Sequence, residues 1–283
     1  MSKSINSVLL VTHPVRPEAI RTANELTELL LAKQIKVFST IQTNGAEFYS
    51  EKDQVDIAVV LGGDGTMLRA AELSRGKSTP ILGINLGHVG FLAEIERPSL
   101  AEIVEAIASG SFYVEERMSL NYQLLRGGKS ISSGWALNEV LVERNDHQMI
   151  DLFVQIDHRP LSRWWCDSVI CATPTGSTAY AYSAGGPVVW PEVDALVLLP
   201  LAAHALFSRP MVVSPRSEIV LDLESESADL NADGIRRTKL QKSDRIILTS
   251  AKEDVLLAHI KSATFTDRLV AKFKLPVEGW RGE

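Results

Sequence analysis

Apolar runs and polar punctuation follow two different textures along this chain. In the first texture, "SVLLVTH" (Ser7 to His13) reads as a buried strand, and "PEAIRTANELTELLLAKQ" follows with apolar residues at Ile20, Ala23, Leu26, Leu29 and Leu30, a helical spacing. "KVFST" and "DIAVVLGG" read as further strands, "TMLRAAELSRG" as a helix ended by Gly76, and "TPILGINLG" as a fourth strand. "SLAEIVEAIASG" opens with Ser99 and has Glu102 three residues on, which predicts a capping box. Strands alternating with helices predict an α/β domain with a doubly wound, mostly parallel sheet.

The second texture begins near "FYVEERMSLNYQLL". Short alternating runs ("SGWALNEVLVER", "IDLFVQIDH", "SVICATP", "DALVLLP", "SEIVLDLE", "RIILTSAKEDVLLAHI") are separated by Gly, Pro, Asp and Ser. They predict an all-β-rich C-terminal domain, a sandwich or layered antiparallel sheet, with one helix near "TGSTAYAYSAGG". "FTDRLVAKFKL" is helical again. The expected organisation is therefore residues 1–112 as the α/β domain, 113–262 as the β-rich domain, and 263–283 as a helical tail packing back on the first. No fixed-period repeat or low-complexity linker interrupts it.

Composition narrows the function classes. The chain has 283 residues, 45% of them hydrophobic, enough for two domains with substantial cores. Its net charge of -6 argues against a nonspecific nucleic-acid binder. The two cysteines, Cys166 and Cys171, form neither a disulfide framework nor a zinc ligand set, so a reducing compartment is expected. The apolar run near the N-terminus is too short for a signal-peptide core, and no run has membrane-span length. A cytoplasmic protein with no membrane partner is the expectation.

The chemistry centres on "VVLGGDGTMLRAAE" (Val59 to Glu72). Gly62, Gly63 and Gly65 strip Cβ atoms from the turn between a strand end and a helix start, where free N–H groups and the positive helix end favour oxyanions. Yet the turn carries a carboxylate, Asp64. An N-cap role with Thr66 in support would not require three glycines. A phosphate chain over Gly62, Gly63, Gly65 and Thr66, with Asp64 facing a hydroxyl or metal ion, would. The turn is neither a Walker A loop nor GxGxxG.

Other segments repeat the device. "GINLGHVGFLAE" has glycines at 87 and 90 and then Phe91, "ALNEVLVER" has the polar pair Asn138 and Glu139, and "CDSVICATPTGSTAYAYSAGGP" joins Asp167 to a Thr/Ser/Gly turn and Tyr180. Together, GGDGT, GINLGHVGFL, NE and TPTGSTAYAYSAGGP, in that order, resemble the NAD kinase family over nearly the whole chain. GGDGT alone is shared with diacylglycerol- and sphingosine-type lipid kinases and phosphofructokinases; the NE pair and the TPTGSTAY segment narrow it.

The resemblance implies transfer of the γ-phosphate of ATP, with a divalent cation such as Mg²⁺, to the 2′-hydroxyl of the adenosine ribose of NAD, giving NADP. Polyphosphate as donor is left open. Asp64 matches the family's proton acceptor, Gly65 lets the backbone approach substrate, and Arg69 matches a dinucleotide contact. Asn138 and Glu139 match the pair that grips the adenosine. Asp167 matches an aspartate near the nicotinamide end, and Thr175, Thr178, Ala179, Tyr180 and Ser183 match the adenine and ribose pocket. Phe91 is a further candidate contact, and Asp233 with Gly234 is a candidate for closing the site. The family also implies a homodimer or homotetramer. This chain departs at Ser168, where many relatives have Gly, and at Met149 and Trp165, which stand roughly where relatives often carry a basic residue; Arg144, Arg163 or a neighbouring subunit is left to supply that charge. His13, His88, His147, His158, His204 and His259 show no metal-ligand spacing, so no protein metal site is expected. Two alternatives stand beside the kinase: a diacylglycerol-type lipid kinase, for which no basic amphipathic helix is found, and a non-catalytic dinucleotide sensor, against which Asp64 speaks.

Overall fold

The computed structural model describes residues 5–87, 90–94 and 98–277; His88 lies outside them. The chain divides into two compact units, Met1–Glu116 with Val255–Glu283, and Arg117–Asp254.

The first unit runs β1 (Ser7–Thr12), α1 (Pro17–Ala32), β2 (Lys36–Ser39), β3 (Glu47–Phe48), β4 (Ile57–Leu61), α2 (Asp64–Ser74), β5 (Ile81–Ile84), α3 (Leu100–Ser109) and β6 (Tyr113–Arg117). Pro17 opens α1, where its missing N–H costs nothing. The predicted capping box of α3 is present, Ser99 Oγ accepting from Glu102 N and Glu102 accepting from Ser99 N. The buried stripe of α1 is Ala19, Thr22, Ala23, Leu26, Thr27 and Leu30, whereas Leu29 is 41% exposed. Two threonines thus stand on the core side. Thr27 satisfies its hydroxyl on Ala23 O at 2.7 Å, which removes the penalty of burying it.

The second unit runs β7 (Leu120–Arg126), β8 (Lys129–Ala136), β9 (Glu139–Glu143), β10 (Ile150–Ile156), β11 (Arg159–Cys166), β12 (Ser168–Ala172), a 3₁₀ turn (Gly176–Thr178), α4 (Tyr180–Ser183), β13 (Leu196–Leu201), β14 (Met211–Val213), β15 (Ile219–Leu223), β16 (Ser227–Ala232), β17 (Arg236–Gln241) and β18 (Arg245–Ser250). The chain then returns to the first unit with β19 (Val255–His259) and α5 (Phe265–Phe273).

Among the described residues, the first unit holds a sheet in the order β3-β2-β1-β4-β5-β19-β6. The pairs from β3 to β19 are parallel. Strands β6 and β19 carry the short-strand texture assigned above to the β-rich region, yet both pair into this sheet. Leu257 sits beside Ile81 and Ala258 beside Leu82. Sheet membership is a long-range pairing, which local alternation does not encode. Strand β4 is buried along its whole length, as a parallel strand covered on both faces must be. Val8, Leu10, Val59 and Leu82 share one core with α1 and α3, and α2 packs on β1, β4 and β5. The chain winds one way from β1 to β2 and the other way from β4 to β5. The switch point therefore lies at the carboxyl ends of β1 and β4, where such sheets bind ligands.

In the second unit the sheets run β11-β10-β15-β18-β7-β8 and β14-β13-β12-β9-β16-β17, with antiparallel neighbours throughout. Alternate residues of both meet in one core: Leu120, Tyr122 and Leu124 of β7, Leu152 and Val154 of β10, Val140 and Val142 of β9, Leu196 and Leu198 of β13. The other face of β9, β12 and β13 is covered by Ala181 of α4 and by Val189. That cover brings the Thr/Ser/Gly segment against the NE pair.

Candidate functional site

At the switch point, the chain leaves β4 through Gly62 and Gly63 and enters α2 at Asp64. The N-cap is Gly63, in an extended conformation with no side-chain cap, so neither Asp64 nor Thr66 caps the helix. The first intrahelical bonds run from Thr66 N and Met67 N to Gly63 O, leaving the preceding N–H groups at the helix start for a ligand. Gly62 is bare because a Cβ there would come within 2.4 Å of Thr66 Oγ1. Gly63 and Gly65 differ: a Cβ on either would meet nothing within 4 Å, and neither has a positive φ. The fold does not demand glycine at these two positions. What their missing side chains leave open is a cavity of about 410 Å³, lined by Thr12, His13, Pro14, Arg16, Gly63, Gly65, Thr66 and Arg69.

This cavity collects positive charge. Arg16 comes from the loop after β1, and its Nη1 would lie 3.5 Å from a Cβ on Gly87; Arg69 comes from one turn into α2. Both are exposed. Thr12, 1% exposed, and His13 contribute side-chain atoms, Oγ1 and Nδ1, that are buried without a hydrogen-bond partner. Arg16 and His13 were missed in the sequence because nothing local links them to the GGDG turn; adjacency of β1 and β4 does.

The Asp64 carboxylate turns toward residues 90–92. Oδ2 accepts from Phe91 N and Oδ1 from Leu92 N, each at 3.4 Å. Gly90 provides the room, since a Cβ there would stand 2.2 Å from Oδ1. The Phe91 ring is 5% exposed and packs between Phe265 and Phe273, with centroids 5.9 and 5.7 Å away. Phe91 thus meets the site through its main chain, and its ring belongs to the core.

In the second unit, Asp233 organises the NE pair. Held at φ 55° after β16, it accepts from Leu137 N at 2.7 Å, Asn138 N at 2.8 Å and Glu139 N at 3.2 Å. From the other side Thr173 donates through N to Asn138 O and through Oγ1 to Leu137 O, and Gly176 lies so close that a Cβ would come within 2.0 Å of Asn138 O. Burial pushes the Glu139 carboxyl up to about 8; the Asp233 charge adds to this and the Tyr180 N–H opposes it. Glu139 Oε2 is buried without a partner. Burial also raises Asp233, against the three N–H groups it accepts.

The Tyr180 ring is 40% exposed, so core packing does not consume it. Ser183 is exposed, and Thr178 and Ala179 are partly so. Thr175 is 6% exposed and accepts from Arg117 Nη1 at 3.4 Å, so it shapes the turn from within. Asp167 pairs with Arg144, Nε to Oδ1 at 3.1 Å, whereas Arg163 pairs with Glu224 and covers the Phe153 ring. Burial raises both cysteine thiols to about 12, which makes them inert. Among the described residues no helix is long and apolar enough to cross a membrane.

A family model described as the ATP-NAD kinase N-terminal domain matches residues 45–112, and one described as the ATP-NAD kinase C-terminal domain matches residues 137–260. The NAD kinase of Thermobifida fusca is 45% identical over 298 residues, covering 98% of this chain and 91% of that relative. The NAD kinase of Mycobacterium tuberculosis is 41% identical over 302 residues, covering 98% of each. Among solved structures, yeast NADH kinase complexed with NADH shares the fold, with a TM-score of 0.90 over 99% of this chain and 91% of that chain at 22% identity. An NAD kinase from Archaeoglobus fulgidus in complex with ATP gives a TM-score of 0.73 over 95% of this chain and 98% of that chain, at 28% identity.

Proposed function

Since the chain belongs to the ATP-NAD kinase family, we propose that its glycine turn cradles the ATP phosphates while Asp64 orients the 2′-hydroxyl of the adenosine ribose of NAD. The overall reaction is phosphoryl transfer from ATP to a hydroxyl of NAD. The observation that carries the finer reading is the pair Gly63 and Gly65. Both are bare where the fold leaves open space, and both line a cavity with two arginines.

In this reading the triphosphate lies over the start of α2, where unpaired N–H groups and the helix dipole meet its oxygens. Arg16 and Arg69 offset its charge, and that charge spreads over the equatorial oxygens as transfer proceeds. Asp64 holds the attacking hydroxyl by a hydrogen bond and takes its proton late in a loose transition state. Among the described residues no three His, Cys, Asp or Glu side chains gather as a ligand set. Asp64 is the carboxylate that would adjoin a divalent cation such as Mg²⁺ bound with the triphosphate, and such a cation would supply neutralisation of phosphate charge.

For NAD, Asn138 and Glu139 grip the adenosine, main chain fixed by Asp233, and the Tyr180 ring offers a stacking face. Thr178, Ala179 and Ser183 line the ribose side, and Thr175 supports them from beneath. Asp167 serves the nicotinamide end. Arg144, held beside Asp167, supplies the positive charge that Met149 and Trp165 do not. A cytoplasmic homodimer or homotetramer completes the proposal.

Purified protein incubated with ATP, Mg²⁺ and NAD is expected to form NADP, read by an NADP-specific dehydrogenase, with the new phosphate on the 2′-oxygen by phosphorus NMR. No product above the enzyme-free blank overturns the proposal and leaves a dinucleotide sensor. Phosphate on another hydroxyl overturns the role given to Asp64.

A further inference from the structure

We infer that Arg268, on the C-terminal helix, is a positioning residue for phosphoryl transfer, acting through the short segment Gly90–Glu94 that holds the Asp64 carboxylate. The inference rests on the role proposed above for Asp64.

Arg268 is one of the residues by which α5 docks, yet it is 2% exposed and charged. A helix that needed only to dock would bury an apolar side chain there, because a buried guanidinium costs several kcal/mol unless it is paired. Its partners are specific. Nη1 donates to Ala93 O, and Nη2 lies 3.1 Å from His259 Nδ1. Ala93 follows directly on Phe91 and Leu92, whose N–H groups are the two donors to Asp64.

The same segment is tied at three further points. Glu94, 1% exposed, accepts from Ile260 N at 2.7 Å through Oε1. Glu94 N donates to Gly83 O of β5 at 2.9 Å. The Phe91 ring is held by Phe265 and Phe273, at either end of α5. His259 in turn contacts Glu115 of β6 through Nε2 at 3.2 Å. A buried network of Arg268, Glu94 and His259 thus braces one short segment against α5, β5 and β19.

The bracing matters because the Asp64 contacts are long. Two hydrogen bonds at 3.4 Å are near the limit of useful geometry. A shift of the segment by about 1 Å would release the carboxylate, and misplacement on that scale can cost on the order of 100-fold in rate. Removing Arg268 leaves Ala93 O without its donor and the segment without its central tie.

The test is a double-mutant cycle on the full-length protein. Arg268→Met is expected to lower kcat about tenfold or more, with KM for NAD and ATP within about twofold of wild type, and Arg268→Lys to restore part of the loss by donating to Ala93 O. In the Asp64→Asn background, Arg268→Met is expected to add less than about a twofold further loss, because its effect runs through Asp64. If Arg268→Met does not fold, Phe273→Ala removes the ring on the far side of Phe91 and is expected to give the same non-additive pattern. Unchanged kcat in a folded Arg268→Met, or an equal loss in both backgrounds, overturns the inference. If Asp64→Asn itself keeps wild-type turnover, the reading of Asp64 fails first and the inference with it. If Asp64→Asn is impaired and Arg268→Met is not, only the inference fails.

Discussion

The Asp64 carboxylate lies against the bare face of Gly90, where a Cβ atom would stand 2.2 Å from Oδ1. No side chain fits between them, and the atom that would have to yield is the end of the Asp64 side chain itself. Gly90→Ala is therefore expected to rotate Asp64 away from Phe91 N and Leu92 N. Turnover should fall by about 100-fold, while the thermal midpoint moves only slightly, since a short side chain can swing aside. A large fall in the midpoint with a matching loss of activity would instead mark Gly90 as a purely structural position.

Gly65 offers the opposite case. It sits inside α2 with open space where a Cβ would be. Alanine there should stabilise the helix by up to about 1 kcal/mol. The new methyl group would also occupy the cavity floor beside Thr66 and Arg69. Steady-state kinetics of Gly65→Ala are expected to show a raised KM for ATP in a protein at least as stable as wild type. Unchanged ATP kinetics would remove the phosphate chain from this turn.

Glu139 carries a pH signature. Burial raises its carboxyl from 4.5 to about 8, so the folded state keeps a proton that the unfolded chain releases near pH 4.5. The stability this contributes is fully present below pH 4.5. It is lost as pH rises toward 8, by at most about 1.4 kcal/mol per pH unit. Glu139→Gln mimics the neutral form. Denaturant titrations of this variant from pH 5 to 8.5 should show a flatter profile than wild type, and parallel profiles would contradict the assignment.

Much of this was legible in the chain. Strands β1, β2, β4 and β5 of the first sheet were readable because strand and helix periods alternate there, and the α3 capping box announces its own start. The Asp64 turn was readable because three glycines beside one carboxylate have few purely structural explanations. What escaped depended on distant pairing. Strands β6 and β19 look like their antiparallel neighbours in sequence, and only pairing beside β5 assigns β19 to the first sheet. Arg16 and His13 join the cavity because β1 and β4 are neighbours. In α5 the helical pattern alone does not mark Arg268 as buried; its partners Ala93 O and His259 come from outside the helix. Phe91 was named as a candidate substrate contact; its main-chain N–H meets Asp64, and its ring is drawn into the core by two phenylalanines of α5.

The most direct measurement compares Asp64→Asn with wild type for both turnover and NAD binding. The substitution keeps the shape of the side chain and removes its charge and proton affinity. If Asp64 orients and deprotonates the ribose hydroxyl, NADP formation should fall by about 100- to 10,000-fold while calorimetry finds NAD affinity within a few-fold of wild type. Wild-type turnover in Asp64→Asn, or a loss of NAD binding as large as the loss of turnover, would contradict it.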